Sequence, residues 1–371
     1  MSHTHGTLEV TIVEGRHLKD EDIVGKNDAY VELYVDKHYK QRTTTAQNSN
    51  DPRWNEKFTF HLQKHDDDLH LHVYDDDVVG RDSVGSAKID LKKHVFGKGR
   101  YDDWVKLPAM LGLRSKGEIH VIIEHHTLNL AHGHIGDGEA QHIANALENN
   151  TIFTKMNFNF NQIGALGAQH LSNVLRDSKT LHTLNLRSNQ IGTSGAQYLA
   201  NALRMNTDTK LTILDLDCNE IGAEGAKYLA DLLSNNKTLT TINIGNNQIG
   251  DLGAEYLSDA LQKNKTLTTL NLFKNQIGVS GANHLAIALE NNTTLKTLEL
   301  EGNQIETLGA QHFANALRKN TTLEILDIRS NGICKDGVQY LADALQVHTK
   351  LTDLRLNRQT RGMDSTTYQQ T

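Results

Sequence analysis

The feature that most constrains the fold is a repeat of about 28 residues, which fills the sequence from residue 127 onward. One copy reads LHTLNLRSNQIG over residues 181–192. Its leucines, asparagine and Ile-Gly pair return along the chain, with the asparagine at positions 161, 189, 219, 247, 275, 303 and 331. The spacing is 28 residues at every step except the 30 residues between Asn189 and Asn219. A unit this short cannot bury an apolar face alone, so the copies must stack on one another.

Each repeat combines a short strand with a helix. After the Ile-Gly pair of one copy, Leu199, Ala202 and Leu203 fall at i, i+3 and i+4 and form one apolar helix face. The pattern predicts an α/β solenoid of about eight repeats over residues 127–357. It resembles the leucine-rich repeats of ribonuclease inhibitor and of NLR-type immune receptors. The resemblance implies a horseshoe whose concave strand face binds a protein partner.

The first third of the chain follows a different pattern. Apolar residues alternate in short runs, as at Leu8, Val10 and Ile12, and a period of two indicates half-buried strands. About eight such runs over residues 7–124 predict an all-β antiparallel sandwich. We therefore expect a multidomain chain: a sandwich over residues 1–126, the repeats over 127–357 and a disordered tail over 358–371. No flexible linker separates the first two parts.

Composition and charge exclude several classes of protein. The net charge of −7 divides into −4 for residues 1–126 (18 basic, 22 acidic) and −3 for the remainder (20 basic, 23 acidic), so neither part has the basic surface of a nucleic-acid binder. No phosphate-binding loop, nucleophile elbow or Cys/His pairing is present, and we expect no enzyme. The two cysteines lie four repeats apart, too far for a disulfide. Without an apolar signal or membrane-spanning stretch, we expect a cytoplasmic monomer recruited peripherally to membranes.

Carboxylates concentrate in two short segments of the predicted sandwich, residues 22–31 and 73–85. Calcium prefers six to eight oxygen ligands, with several carboxylates to balance its charge. Adjacent loops bearing so many aspartates would also repel one another strongly without a metal ion. The candidate calcium ligands are Asp22, Asp28, Asp75, Asp77 and Asp82.

These segments resemble the calcium motifs of the C2 domain family. The matching patterns are Asp-x5-Asp-x-Tyr-Val from Asp22, Tyr-Asp-x-Asp from Tyr74 and Asp-x-Val-Gly from Asp82, with a central DPRWNEKFTF over residues 51–60. The resemblance implies a phospholipase-like strand order, phospholipid binding and calcium ligation by the same five aspartates, with Asp76 pointing away. Ala29 stands where the family usually has proline, and the gap from Asp77 to Asp82 is one residue short.

Apolar residues lie between the candidate ligands. Turn tips are normally polar, so aliphatic pairs at a metal site predict insertion into the bilayer interface. The candidate membrane-binding residues are Ile23, Val24, Val78, Val79 and Arg81. A basic cluster of Lys37, Lys40 and Arg42 would also suit anionic headgroups, although an ordinary solvated strand face is the favoured interpretation.

The predicted concave face of the repeats is rich in asparagine and acidic residues. It would suit a basic or polar protein surface, with Phe273 as its exposed aromatic anchor. The alternative is a solvated face that simply follows the repeat consensus. The candidate partner-binding residues are Asn185, Asp215, Asp217, Asn243, Asn271, Phe273, Glu299, Glu301 and Asp327.

The leading hypothesis is a calcium-dependent phospholipid-membrane-binding adaptor whose repeats bind a protein partner. The alternative is a soluble, calcium-independent inhibitor or immune-receptor-like binding module, in which the sandwich is a structural cap. A third hypothesis is a regulator of a small GTPase, but such a regulator would need a strongly acidic tail, and residues 358–371 are not strongly acidic. Histidines 125, 126, 132 and 134 cluster in sequence, yet without cysteine we expect no zinc site among them.

Overall fold

The computed structural model describes residues 7–19, 26–63, 66–76, 81–96, 98–108, 116–148, 150–346, 350–356 and 368–369. Contacts divide the chain into two compact units. The first comprises residues 1–129 with 152–155, and the second comprises residues 130–151 with 156–371.

The first unit is the predicted antiparallel sandwich. Its eight strands are β1 Thr7–Arg16, β2 Ala29–Tyr34, β3 Gln41–Arg42, β4 Arg53–His61, β5 Asp68–Asp75, β6 Asp82–Asp90, β7 Arg100–Lys106 and β8 Glu118–His125, with a short helix α1 Leu91–His94 after β6. They form two four-stranded sheets with the orders β4-β1-β8-β7 and β3-β2-β5-β6. Alternate residues of each strand face a common core, and those of β1 and β8 are fully buried, as at Leu8, Val10 and Val121. Strand β9 Thr127–Asn129 follows β8 and is not part of either of these two sheets.

The second unit is the predicted repeat of strand and helix. Its helices are α2 Asp137–Ala146, α3 Ala165–Asp177, α4 Gly192–Met205, α5 Gly222–Leu233, α6 Gly250–Lys263, α7 Val279–Asn291, α8 Glu306–Leu317 and α9 Lys335–Leu345. Its strands are β10 Lys155–Asn157, β11 Thr183–Asn185, β12 Ile213–Asp215, β13 Thr241–Asn243, β14 Thr269–Asn271, β15 Thr297–Glu299, β16 Ile325–Asp327, β17 Asp353–Arg355 and β18 Tyr368–Gln369. Strands β11 to β17 pair in parallel and in step, so equivalent positions of successive repeats lie side by side.

The recurring asparagine explains how the repeats stack. Asn247 is fully buried, and its amide donates to the carbonyls of Leu216 (2.9 Å) and Gly245 (2.7 Å). Its carbonyl oxygen accepts the backbone N–H groups of Asn219 (2.9 Å) and Ile221 (3.2 Å). One side chain therefore satisfies four buried backbone groups of two adjacent repeats. The other asparagines of the series are buried and bonded in the same way.

Two sequence predictions concern the rest of this unit. Cys218 and Cys334 are both free, as their separation in the repeat requires. Most of the predicted tail lies outside the described residues, but Tyr368–Gln369 forms strand β18, which pairs antiparallel with β17.

Candidate calcium site and neighbouring surfaces

Strand register brings three of the predicted calcium ligands to one end of the sandwich. Strand β2 begins directly after Asp28, β5 ends at Asp75 and β6 begins at Asp82. In the antiparallel pairing Ala29 lies opposite Asp75, and Asp75 lies opposite Asp82. Residues 47 positions apart in sequence therefore meet at the same edge of the sheet.

Hydrogen bonds hold two of these aspartates together. The backbone N–H of Asp28 donates to Oδ1 of Asp75 at 2.6 Å, and the N–H of Asp76 donates to the Asp28 carbonyl at 3.0 Å. The N–H of Asn48, in the loop before β4, donates to Oδ1 of Asp28 at 2.6 Å. Asp75 is only 1% exposed, so its carboxylate is a buried anion at the base of the site. The burial of that anion fits a bound cation.

The donor set suits a hard divalent cation. All three side chains offer carboxylate oxygens, which calcium prefers, and they come from adjacent strand ends. The remaining candidate ligands and the four aliphatic tip residues lie outside the described residues: Asp22, Asp77, Ile23, Val24, Val78 and Val79. Within the described part of the chain the residues fit calcium, and the full ligand set stays a prediction.

Asp76 has a different environment from Asp75, as the sequence predicts. Its Oδ2 accepts the Thr45 hydroxyl at 2.9 Å and lies 3.6 Å from the Arg42 guanidinium. Because successive residues of an extended chain point to opposite faces, the Asp76 side chain is directed towards Thr45 and Arg42 rather than towards Asp28. It is a natural control residue.

A buried asparagine that the sequence pattern does not predict supports the site. Asn27 is fully buried, and its amide nitrogen donates to Oδ1 of Asn50 and to the carbonyl of Lys19, both at 2.9 Å. This bond joins the segment before β2 to the turn before β4, next to Asp28. The turn-rich run at residues 48–52 marks Asn50 as a turn residue, but no local pattern links it to Asn27, 23 residues earlier.

Basic side chains lie over tyrosine rings on the sheet that contains β2 and β5. We call this surface the aromatic–cationic face; it comprises Tyr30, Tyr34, Tyr74, Lys40, Arg42 and Arg81. The guanidinium of Arg42 lies 4.1 Å from the Tyr30 ring centre, and that of Arg81 lies 4.2 Å from the Tyr74 ring centre. Arg81, a predicted membrane-binding residue, also donates to the Tyr30 hydroxyl at 3.3 Å.

The structure gives the surroundings of the basic cluster, whose interpretation as an ordinary solvated strand face stays a prediction. Lys40 lies 4.9 Å from the Tyr34 ring centre and 2.8 Å from the Glu32 carboxylate. Bonding to Glu32 raises the pKa of the Lys40 ammonium, so it stays charged. Each of these cations is ordered against an aromatic ring and remains about half exposed.

The predicted partner-binding residues form two rows on the parallel sheet. Register places the first row side by side from Asn185 to Arg355, and the second lies two residues further along each strand. The first row runs Asn185, Asp215, Asn243, Asn271, Glu299, Asp327 and Arg355. The second runs Arg187, Asp217, Gly245, Phe273, Glu301 and Arg329.

Two of these acidic residues are less available than the sequence predicts. Asp217 is 5% exposed and lies 3.1 Å from Nε of Arg187. Asp327 is 2% exposed and lies 2.6 Å from Nη2 of Arg329. Arg187 belongs to the repeat before that of Asp217, where equivalent positions are only about 4.8 Å apart. Arg329 lies two residues after Asp327 in the same repeat, and Arg355 of the next strand lies 3.7 Å from the same carboxylate.

Phe273 was predicted as the exposed aromatic, and this is wrong. Its side chain is half-buried, with the Lys274 ammonium 4.9 Å from the ring centre. A Cβ built at Gly245 would lie 3.3 Å from Cβ of Phe273 and 2.9 Å from Oδ1 of Asp217, so a larger residue there would have to displace the Asp217 carboxylate. The exposed aromatic of the described repeats is Phe160, 46% exposed, in a turn rather than on a strand.

Three carboxyl groups of the two rows have a raised pKa. Burial raises the pKa of the carboxyl groups of Asp215, Asp217 and Glu299. Among the described residues, Asp215 and Glu299 have no basic side chain within ion-pair distance. Both carboxyl groups are half-buried, and the charge of Arg187 near Asp215, and of Arg329 and Arg355 near Glu299, offsets part of the rise in their pKa.

Comparison with known proteins agrees with this architecture. A family model of the C2 domain matches residues 6–107. A leucine-rich repeat model matches residues 177–200, 207–230, 235–258, 263–286, 291–314 and 319–342. The chain thus contains a C2 domain followed by leucine-rich repeats, the two kinds of module that the sequence resembles.

Curated relatives match part of the chain. RasGAP-activating-like protein 1 of Mus musculus is 36% identical over 104 residues, which are 28% of this chain and 13% of that protein. Synaptotagmin-5 of Arabidopsis thaliana is 32% identical over 124 residues, 31% of this chain and 22% of that protein. The calcium-dependent lipid-binding protein of Arabidopsis thaliana is 27% identical over 130 residues, 33% of this chain and 26% of that protein. The chain thus spans about a quarter or less of each relative's length.

Helices in the described part of the chain are too short and too polar to cross a bilayer.

Proposed function

We propose that this protein is a calcium-dependent membrane adaptor. Its C2 domain would bind calcium through the five aspartates at one end of the sandwich and then dock on phospholipid. Its leucine-rich repeats would hold a protein partner at that membrane. The observation that carries the proposal is the convergence of Asp28, Asp75 and Asp82 at adjacent strand ends, with Asp75 buried.

Electrostatics explain why docking would depend on calcium. Without a cation, the clustered carboxylates repel both one another and an anionic lipid surface. Bound calcium supplies positive charge that offsets them and accepts further oxygen ligands from lipid phosphates. The aliphatic tips Ile23, Val24, Val78 and Val79 would then enter the interface, each contributing up to about 1.5–3 kcal/mol of burial.

The aromatic–cationic face supports a preference for anionic lipid. Lys40, Arg42 and Arg81 lie on the sheet whose strand ends carry the aspartates. A basic residue near an anionic membrane surface contributes about 1 kcal/mol, and salt screens that attraction. One relative also carries a name that fits this activity, the calcium-dependent lipid-binding protein of Arabidopsis thaliana.

Liposome sedimentation tests the calcium step. The full chain is mixed with vesicles of phosphatidylserine and phosphatidylcholine, or of phosphatidylcholine alone, in calcium and then in excess chelator. Asp75→Asn keeps the side-chain shape and the bond from the Asp28 N–H but removes the charge. Asp76→Asn is the matched control, because its carboxylate faces Arg42 and Thr45 instead.

We expect the wild type and Asp76→Asn to pellet with anionic vesicles in calcium and to be released by chelator, whereas Asp75→Asn stays in the supernatant. Substituting both Lys40 and Arg42 by Gln should weaken pelleting without removing its calcium requirement. Equal pelleting of Asp75→Asn and wild type would contradict the proposal. Partner capture that ignores calcium, with no pelleting at all, would favour the cap alternative.

The proposed protein partner carries a basic surface. Asp215 and Glu299 are the half-buried acidic groups of the first row that are open to such a surface. In affinity capture at low salt, a double Asp215→Asn, Glu299→Gln variant should retain less of the proteins that the wild type binds. The same substitutions at the helix residues Asp231 and Glu255 should leave capture unchanged.

A further inference from the structure

A second group of possible metal ligands lies on the sheet β4-β1-β8-β7, away from the aspartate loops. Glu9 of β1 and Glu124 of β8 are directly opposite one another in the antiparallel register. His126 follows two residues after Glu124 and therefore points to the same side. One ligand atom from each of the three residues lies within 4.8 Å of the other two. Like charges in directly opposed positions destabilise a sheet unless cations compensate them, and here Lys57 and Arg100 supply that charge from the protein.

The hydrogen bonds of His126 define which ring atom faces the carboxylates. Its Nδ1 lies 3.1 Å from the carbonyl oxygen of Ile152, and a carbonyl can only accept, so Nδ1 carries a hydrogen. Its Nε2 lies 3.1 Å from Oε2 of Glu9. An ionised carboxylate also only accepts. Nε2 must therefore either carry a second proton or share a metal ion with Glu9.

We propose that Glu9, Glu124 and His126 form a binding site for a divalent transition-metal ion, with Zn²⁺ the best match. Zinc favours imidazole and carboxylate ligands, and a ligating histidine commonly donates its other N–H to a backbone carbonyl, as His126 does to Ile152. Tetrahedral zinc with bonds of about 2.0–2.1 Å separates neighbouring ligand atoms by about 3.3 Å. Nε2 of His126 and Oε2 of Glu9 are already close to that separation.

Two cations compete for the carboxylates. Lys57 lies 2.6 Å from Oε2 of Glu9, and Arg100 lies 2.9 Å from Oε1 of Glu124. Their side chains are 53% and 45% exposed, and Arg100 has a second partner in Asp102 at 2.9 Å. Both can return to solvent at small cost when a metal binds. With three protein ligands and an exposed fourth position for water, the site should bind metal more weakly than a closed structural zinc site.

This site does not depend on the proposed calcium function. Its ligands come from strands β1 and β8 and from the residue after β8, whereas the calcium candidates follow β5 and flank β2 and β6. The nitrogen ligand also selects against calcium, which takes oxygen. The two sites can therefore be examined separately in the same chain.

Zinc titration of the full chain by calorimetry tests the proposal, after chelator treatment and in excess calcium to occupy the aspartate loops. Co²⁺ replaces Zn²⁺ in parallel, because its visible absorption distinguishes tetrahedral from octahedral ligation. The variants are His126→Ala and the shape-preserving Glu124→Gln. His120→Ala is the matched control: His120 lies on the same strand, 2.8 Å from Asp102, but outside the three-residue group.

We expect one site with tetrahedral Co²⁺ bands in the wild type and in His120→Ala. Binding should weaken at least about tenfold in His126→Ala and in Glu124→Gln, since even the loss of an indirect support to a metal ligand has an effect of that size. Tryptophan fluorescence confirms folding, because Trp54 and Trp104 both lie in the sandwich. Zinc binding that is unchanged in both ligand variants, or octahedral Co²⁺ alone, would overturn the proposal. The chain has 20 histidines, so weak non-stoichiometric binding common to all variants also counts against the site.

Discussion

Truncation of one buried asparagine should destabilise the repeats far more than its size suggests. Asn247→Ala removes an amide that bonds four backbone groups, the carbonyls of Leu216 and Gly245 and the N–H groups of Asn219 and Ile221. Each hydrogen bond contributes about 1 kcal/mol net, so the loss is about 4 kcal/mol, and more if no water replaces the amide. A domain is stable by only about 5–15 kcal/mol, so the variant should lie near the edge of folding.

Urea unfolding followed by two probes makes this measurable. Helical circular dichroism reports mainly the repeats, whereas the fluorescence of Trp54 and Trp104 reports the sandwich. Asn247→Ala should shift the dichroism transition and leave the fluorescence transition in place. Asn315→Ala, an exposed helix position, is the matched control and should change stability by less than about 0.5 kcal/mol. A loss below about 1 kcal/mol in Asn247→Ala would refute the reasoning, since it would mean that the four backbone groups find other partners.

Three further outcomes are expected. Burial raises the pKa of the Asp215 carboxyl, so the folded state binds more protons than the unfolded state, and this residue destabilises the repeats above its ordinary pKa. Asp215→Asn should therefore raise the urea midpoint at pH 7 and lose that advantage below about pH 4. An unchanged midpoint at pH 7 would contradict this expectation. Burial lowers the pKa of the His72 imidazole below its ordinary value of 6.5, so the sandwich should lose stability as the pH falls below 6.5. Thermal unfolding of His72→Gln, followed by fluorescence, should show a weaker pH dependence. Calcium at about one hundred times its Kd should stabilise the fluorescence transition by about 2.7 kcal/mol, and a gain of the same size in Asp75→Asn would argue against ligation by that aspartate.

Local periodicity accounts for how much of the fold was predictable. A period of two places Leu8, Val10 and Ile12 on one strand face, and the 28-residue period places each asparagine at the same turn. Both patterns are properties of neighbouring residues, so they survive without any knowledge of the tertiary structure. The separation of Asp75 from Asp76 follows the same rule, because successive strand residues point to opposite sides.

Contacts between distant residues were not predictable in this way. Asp217 is covered by Arg187 of the preceding repeat, 30 residues earlier, and Asp327 is approached by Arg355 of the next strand as well as by Arg329 of its own repeat. Phe273 is half-buried, whereas Phe160 is exposed, because exposure depends on what the neighbouring strands carry.

The candidate sites divide along the same line. The sequence alone determined the two modules, the set of candidate calcium ligands and the asparagine that joins the repeats, since each is written in a short pattern. The sequence groups His126 with its neighbouring histidines, whereas the folded chain places it beside Glu9, 117 residues away. Only antiparallel register could do that, because pairing of β1 with β8 brings the two ends of the sandwich sequence into contact. The same physical reason explains Asn27 and Asn50: the chemistry of each residue is local, and its partner is chosen by the tertiary structure.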